Sequence, residues 1–170
     1  MVWNWRAHGS KQLRNLLYAY KERMDKNRFI QNLLLDNLLL VDIYNQAKKM
    51  KIPAEIKRVV FVIEPKNEGD ILVQETLKGL YATGTKDFVT AIDEKHIILV
   101  KSLQSTDDYP QVEQIAKELV TTLNMEAMVS VRAAYGTIVE ELKDVSRSYK
   151  EADMALEVGR VFYVEKKILA

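Results

Sequence analysis

Residues 127–135 read Ala-Met-Val-Ser-Val-Arg-Ala-Ala-Tyr, a strand-like run that ends on Gly136-Thr137-Ile138. A helical pattern follows closely and carries Glu151-Ala-Asp-Met-Ala-Leu-Glu-Val-Gly-Arg160, with Ala152, Ala155 and Leu156 at core spacing. A strand turning through glycine into a small-residue helix calls for strand and helix in packed layers.

The pattern upstream agrees and reads βαββαβα from Ile56 onward. Arg58-Val-Val-Phe-Val-Ile63 is a continuous apolar run bounded by charged residues and Pro65, the pattern of a central strand covered on both faces. Gly69-Asp70 opens a helix through Leu80, with Asp70 well placed near its N-terminus. Asp87–Ile92 and His96–Val100 form two strands joined by Asp93-Glu94-Lys95, short enough to require an antiparallel hairpin. Asp107-Asp108-Tyr109-Pro110 starts the next helix with an aspartate cap and a proline in its first turn. Val112, Ile115, Ala116, Leu119, Val120 and Leu123 give that helix its buried face. Val129–Tyr135 is the fourth strand, and a helix spans about Glu141–Gly159. Val161–Val164 is either an edge strand or an exit segment.

The front of the chain is helical. Leu13, Leu16, Leu17, Tyr20 and Met24 fall at helical spacing between Lys11 and Arg28, and a leucine-rich piece runs from Phe29 to Leu40. Asp36-Asn37 is a plausible break, Asp42 can cap a short helix through Met50, and Pro53 pushes Ile52 out of the helical region. An apolar stripe of this kind needs a partner surface. The chain divides into a helical linker or dimerisation segment, residues 1–52, and a sheet domain, residues 53–170.

Composition narrows the function. Residues 1–50 hold nine Lys/Arg against four Asp/Glu, and residues 51–170 hold sixteen against twenty, for a net charge of +1. The acidic larger part offers no concentrated basic surface for nucleic acid, and the basic front reads as a solvated helix face. Cysteine is absent, which removes disulfides and thiolate chemistry and fits a cytoplasmic protein. No apolar run is long enough to span a membrane, and the first residues lack a secretory pattern. The two histidines, His8 and His96, have no second ligand at metal spacing, and no nucleophile elbow, Walker loop or dinucleotide fingerprint occurs.

The pieces Arg28-Phe-Ile-Gln-Asn-Leu-Leu-Leu-Asp36, Ala47-Lys-Lys-Met-Lys-Ile-Pro53 and Ser130-Val-Arg-Ala-Ala-Tyr-Gly136 occur in this order. Ser146-x-x-Tyr149-x-x-Ala152-x-x-Ala155-Leu156 follows them. In that order they resemble the degenerate GGDEF-like domain of the CdaR/PucR family of bacterial transcriptional regulators, over about residues 29–170. The resemblance implies an α+β, ferredoxin-like βαββαβ antiparallel sheet with its helices packed on one face, preceded by an N-terminal helical segment. It also implies regulation of transcription, as in the sugar-diacid utilisation regulators, by a cytoplasmic homodimer. DNA would be met only through a C-terminal helix-turn-helix that this chain does not contain.

An active diguanylate cyclase carries Gly-Gly-Asp/Glu-Glu-Phe in the hairpin between its middle strands. The corresponding turn here, Asp93-Glu94-Lys95-His96, has no glycine, and the end of the first strand reads Glu64-Pro65. The expectation is a chain that is not an enzyme, with no catalytic residue, no cofactor and no metal. Glu64, Asp93 and Glu94 are the weak candidates for a cation site. Leu13, Leu16, Leu17, Tyr20 and Met24 are the candidate dimer or relay surface. Two alternatives remain open, a sensor that binds a nucleotide or other small molecule, and a residual cyclase-like enzyme.

Overall fold

A computed structural model of the chain describes residues 5–67, 71–82, 84 and 86–164, with side chains from Gly9 onward. Its core is a four-stranded sheet of β1 (Arg58–Pro65), β2 (Phe88–Ala91), β3 (Ile97–Ser102) and β4 (Val131–Tyr135). The spatial order is β2-β3-β1-β4, and every neighbouring pair is antiparallel. This is the ferredoxin-like arrangement expected from the βαββαβ order. Phe61 stands opposite Leu99 on one side and Tyr135 on the other, which fixes the register of the central strands.

Alternation along β1 explains why its run is apolar throughout. Val59, Phe61 and Ile63 face one layer, built by α3 (Ile71–Tyr81) and α4 (Tyr109–Glu126) through Val73, Leu77, Val112, Ala116, Leu119 and Leu123. Val60 and Val62 face the opposite layer, made by α1 (Trp5–Leu34), α2 (Leu40–Lys49) and α5 (Val145–Glu157). Helices on one face only was therefore the wrong expectation. The sheet is covered on both, because the end of α1 and all of α2 add their apolar sides to the layer of α5. Phe29, Ile30, Leu33, Leu34, Ile43, Ala47 and Ile52 are all buried there.

The N-terminal boundaries also differ in detail. Lys11–Arg28 and Phe29–Leu34 form a single helix, since nothing between them interrupts the backbone ladder. The break comes where expected, at Asp36, whose φ of 59° lies in the left-handed region that Asp and Asn tolerate. Helix α2 starts at Leu40 behind an N-cap at Leu39 that makes no side-chain bond, so Asp42 lies inside its first turn and is not the cap. Asp108 does cap α4, closing a capping box with Gln111, and Pro110 occupies the first turn. The helix expected from Glu141 begins as a short 3-10 turn, Leu142–Asp144, before α5 proper. The proposed opening of α3 at Gly69-Asp70 lies outside the described residues.

Residues 161–164 reach the outer edge of β4 through one bridge. Ala133 N–H donates to the Phe162 carbonyl at 3.0 Å, and Phe162 N–H returns the bond at 2.8 Å. Among the described residues, no helix is long and apolar enough to cross a membrane.

Candidate functional site

The β-hairpin and the end of β1 meet at one end of the sheet. Ile63 pairs with Ile97, so the next residue of β1, Glu64, looks across at His96, while the β4 register sets it opposite Arg132. The result is a chain of alternating charge. Arg132 Nη2 donates to Glu64 Oε1 at 2.5 Å, and Glu64 Oε2 lies 3.2 Å from His96 Nε2. His96 Nδ1 lies 2.9 Å from Asp93 Oδ2. Asp93 also shapes the hairpin tip, because its Oδ1 accepts from the backbone N–H groups of Lys95 and His96, both at 2.8 Å.

Both imidazole nitrogens of His96 face carboxylates, which can only accept, so the geometry suits the doubly protonated ring. Partial burial lowers the His96 pKa, but the hydrogen bond and charge of Asp93, then those of Glu64, outweigh it and raise the pKa above its ordinary value. For Glu64, burial pushes upward, yet Arg132 and His96 together hold the carboxyl below its usual range. Asp93 is lowered against burial in the same way, by His96 and the two backbone donors.

Of the three candidate cation ligands, Glu64 and Asp93 are brought together, with His96 between them. Glu94 is exposed at the tip and bonds to neither among the described residues. No group of three or more His, Asp or Glu among the described residues is arranged to hold a metal ion. Sequence reasoning missed Arg132 as a partner of this end of the sheet. Its signal was a lone cation at an alternate position of an otherwise apolar strand, which becomes informative only once β4 is set beside β1.

Two open clefts flank the exit segment. One, of about 780 Å³, lies between β4, the start of α4 and the end of α5. Its wall is a row of rings in which Tyr135 sits 6.4 Å from Tyr109 and 5.8 Å from Phe162. The other, of about 670 Å³, is lined by Glu64, Lys66, Arg132 and Tyr163. Leu13, Leu16, Leu17, Tyr20 and Met24 lie on the part of α1 that projects from the sheet, and all five are exposed, between 43% and 67%.

The profile of the GGDEF-like domain matches residues 37–158, more than half of the chain. The chain belongs to the GGDEF-like domain family. No curated protein and no solved structure matches it. In this GGDEF-like domain the hairpin tip carries Asp93-Glu94-Lys95 with no glycine, and Glu64 at the sheet end is held by Arg132 and His96.

The charge chain makes stability depend on pH in a stated direction. His96, with a raised folded pKa, contributes fully below its unfolded value near 6.5, and the contribution is lost as pH rises through the folded pKa. Glu64 and Asp93, with lowered pKa values, contribute above their ordinary values of 4.5 and 3.8, and lose it as pH falls through the folded ones. His96→Gln should therefore cost most between about pH 5 and 6.5, and by pH 9 it should cost little. The loss stays below about 1 kcal/mol because the cluster is partly exposed. Chemical denaturation of both proteins across pH checks this, and a difference that grows toward pH 9 would contradict it.

Proposed function

We propose that this GGDEF-like domain is a catalytically silent relay module of a bacterial transcriptional regulator of the CdaR/PucR type. The observation that carries the reading is the Asp93–His96–Glu64–Arg132 chain. At the sheet end where a cyclase would gather carboxylates around a metal, Arg132 takes one oxygen of Glu64 and His96 takes the other. A divalent ion would have to displace both cations before it met a carboxylate pair. The missing glycines in the 93–96 turn add a second obstacle, since they leave no close backbone approach for a nucleotide.

In this reading α1 is the moving part. Its projecting half receives a signal through a helix contact, and its buried half is rigidly packed against β2 and α5, so a shift of the arm is passed to the sheet domain. DNA binding belongs to a helix-turn-helix outside this chain, and the setting is the cytoplasm. The contact is with another helix, and the charges that border the exposed face of α1 bear on which helix that is.

The test is incubation of the chain with GTP and Mg²⁺ or Mn²⁺, followed by chromatography of the nucleotides. The expected result is unchanged GTP. Metal-dependent formation of a cyclic or linear dinucleotide that disappears in Glu64→Ala would overturn the reading. The ring-lined cleft beside Tyr135 favours one further possibility, a sensor without turnover. Calorimetric titration with guanine nucleotides and small dicarboxylates distinguishes it, because a saturable heat supports the sensor and flat traces support the relay alone.

A further inference from the structure

Residues 9–25 of α1 are exposed without exception, over roughly 25 Å of helix, and from Tyr20 onward the helix lines a groove against α3. Leu13, Leu17, Tyr20 and Met24 follow the alternating four- and three-residue spacing of a helix-pairing seam, with Leu16 beside them. The borders of that seam are cationic. Arg14, Lys21 and Arg28 recur every seven residues along one side, and Arg23 lies on the other. The two acids of this stretch, Glu22 and Asp25, fall on the back of the helix.

We propose that the α1 arm is built to pair with an amphipathic helix whose seam is bordered by carboxylates, and not with a second α1. The inference rests on the relay reading above and names the chemistry of its partner. Two α1 helices placed parallel would set Arg23 of one against Arg28 of the other. Placed antiparallel, they would set Arg14 against Arg28 and Lys21 against Lys21. Neither arrangement gains one opposite-charge pair along the seam. The exposed seam is also shorter than three heptads, so its apolar contacts alone leave a pair marginal, and the border charges decide.

The body of the domain fixes where the seam stops. Asn27, the next seam position, accepts a hydrogen bond from Thr90 Oγ1 at 2.6 Å, and Lys26 lies over the Phe88 ring. Between α1 and α3 a groove of about 490 Å³, lined by Tyr20, Met24, Glu75 and Lys78, leaves room for the end of the incoming helix.

The experiment compares the wild-type chain with the variant Arg14→Glu/Lys21→Glu/Arg23→Glu/Arg28→Glu by sedimentation, each alone and mixed in equal amounts. These four side chains are exposed, and circular dichroism checks that the variant keeps its helix content. The expected result is that each protein alone stays monomeric. The mixture should form a one-to-one complex about tenfold tighter than either self-association, weakening as salt is added. Wild-type self-association as tight as the mixture, or a mixture that forms no complex, overturns the proposal. As a second probe, a synthetic helix with a leucine seam and Glu borders should bind the wild-type chain, and its Lys-bordered counterpart should not. Equal binding of the two would also overturn it. The GTP assay is independent of these measurements, so failure of the relay reading and failure of this partner assignment are distinguishable.

Discussion

Gly136→Ala is expected to be the most damaging conservative substitution in the chain, lowering stability by about 3 kcal/mol or more. A Cβ added at Gly136 would meet the Ser148 carbonyl oxygen at 1.8 Å, its carbon at 2.6 Å and its Cα at 2.9 Å. All three atoms are backbone of α5, so no side chain can swing away and the helix itself must move. That movement is costly because the junction is bonded from both sides. Gly136 N–H donates to the Val60 carbonyl at 3.0 Å, and Val60 N–H donates to Ser148 Oγ at 3.0 Å. Ser148 thus supplies the acceptor for Val60 N–H just past the end of β4, and it is fully buried while doing so.

Displacing α5 would strand the Val60 N–H in the core, a loss of about 1–3 kcal/mol in itself. Thermal unfolding followed by circular dichroism should show a midpoint roughly 10 °C lower for Gly136→Ala. Ser148→Ala should lose only the hydrogen-bond part, about 1–2 kcal/mol, because it leaves the helix in place. The double variant should fall short of the sum of the two, since a displaced helix has already broken the Ser148 bond. A midpoint for Gly136→Ala within a degree or two of wild type would show that α5 can be displaced at no cost, contrary to the argument.

The glycine illustrates how far the sequence could be read. Its place between strand and helix was evident, but its reason was not. What demands glycine here is the approach of Ser148, twelve residues later, and no local pattern records that distance. The strands and helices were legible because their periodicities are local. Val59 to Ile63 are apolar on both faces, and α4 carries its cap, its proline and its stripe in one stretch. The join between Arg28 and Phe29 was harder, because there α1 leaves solvent and enters the core. Its apolar stripe rotates from the exposed seam to the buried side, which reads in sequence as two helices. The candidate site was legible only in part. Glu64 and Asp93 could be picked out as carboxylates at strand ends, whereas their pairing with Arg132 and His96 is a product of sheet register. Register depends on which strands become neighbours, and that is decided by the whole fold.

Arg58 yields the prediction of opposite sign. It opens the apolar run of β1, and its side chain is wholly buried. One nitrogen, Nη2, donates to the Pro53 carbonyl at 2.7 Å, while Nε and Nη1 have no hydrogen-bond partner among the described residues. Asp87 supplies a favourable charge, but that carboxylate is already engaged. Its Oδ1 accepts from Ser102 N–H and Oγ, both at 2.6 Å, and its Oδ2 from Lys101 at 3.2 Å. Burial lowers the Arg58 pKa to about 10, with Asp87 opposing the shift only in part. A guanidinium whose pKa burial lowers to about 10 costs stability on the order of 3 kcal/mol at neutral pH. The sign follows from proton binding. Below about pH 10 both folded and unfolded chains hold the proton and the full penalty is present, and it is relieved only as pH rises above that value. Arg58→Met, which keeps most of the volume and removes the charge, should therefore stabilise the fold by about 1–3 kcal/mol. The gain should be the same at pH 6 and pH 8. Arg58→Ala should not share it, because the missing volume leaves a cavity beside Val60 and Val62. Urea denaturation of the three proteins decides the matter. A loss of stability in Arg58→Met would mean that the guanidinium holds the Pro53 segment more strongly than its burial costs.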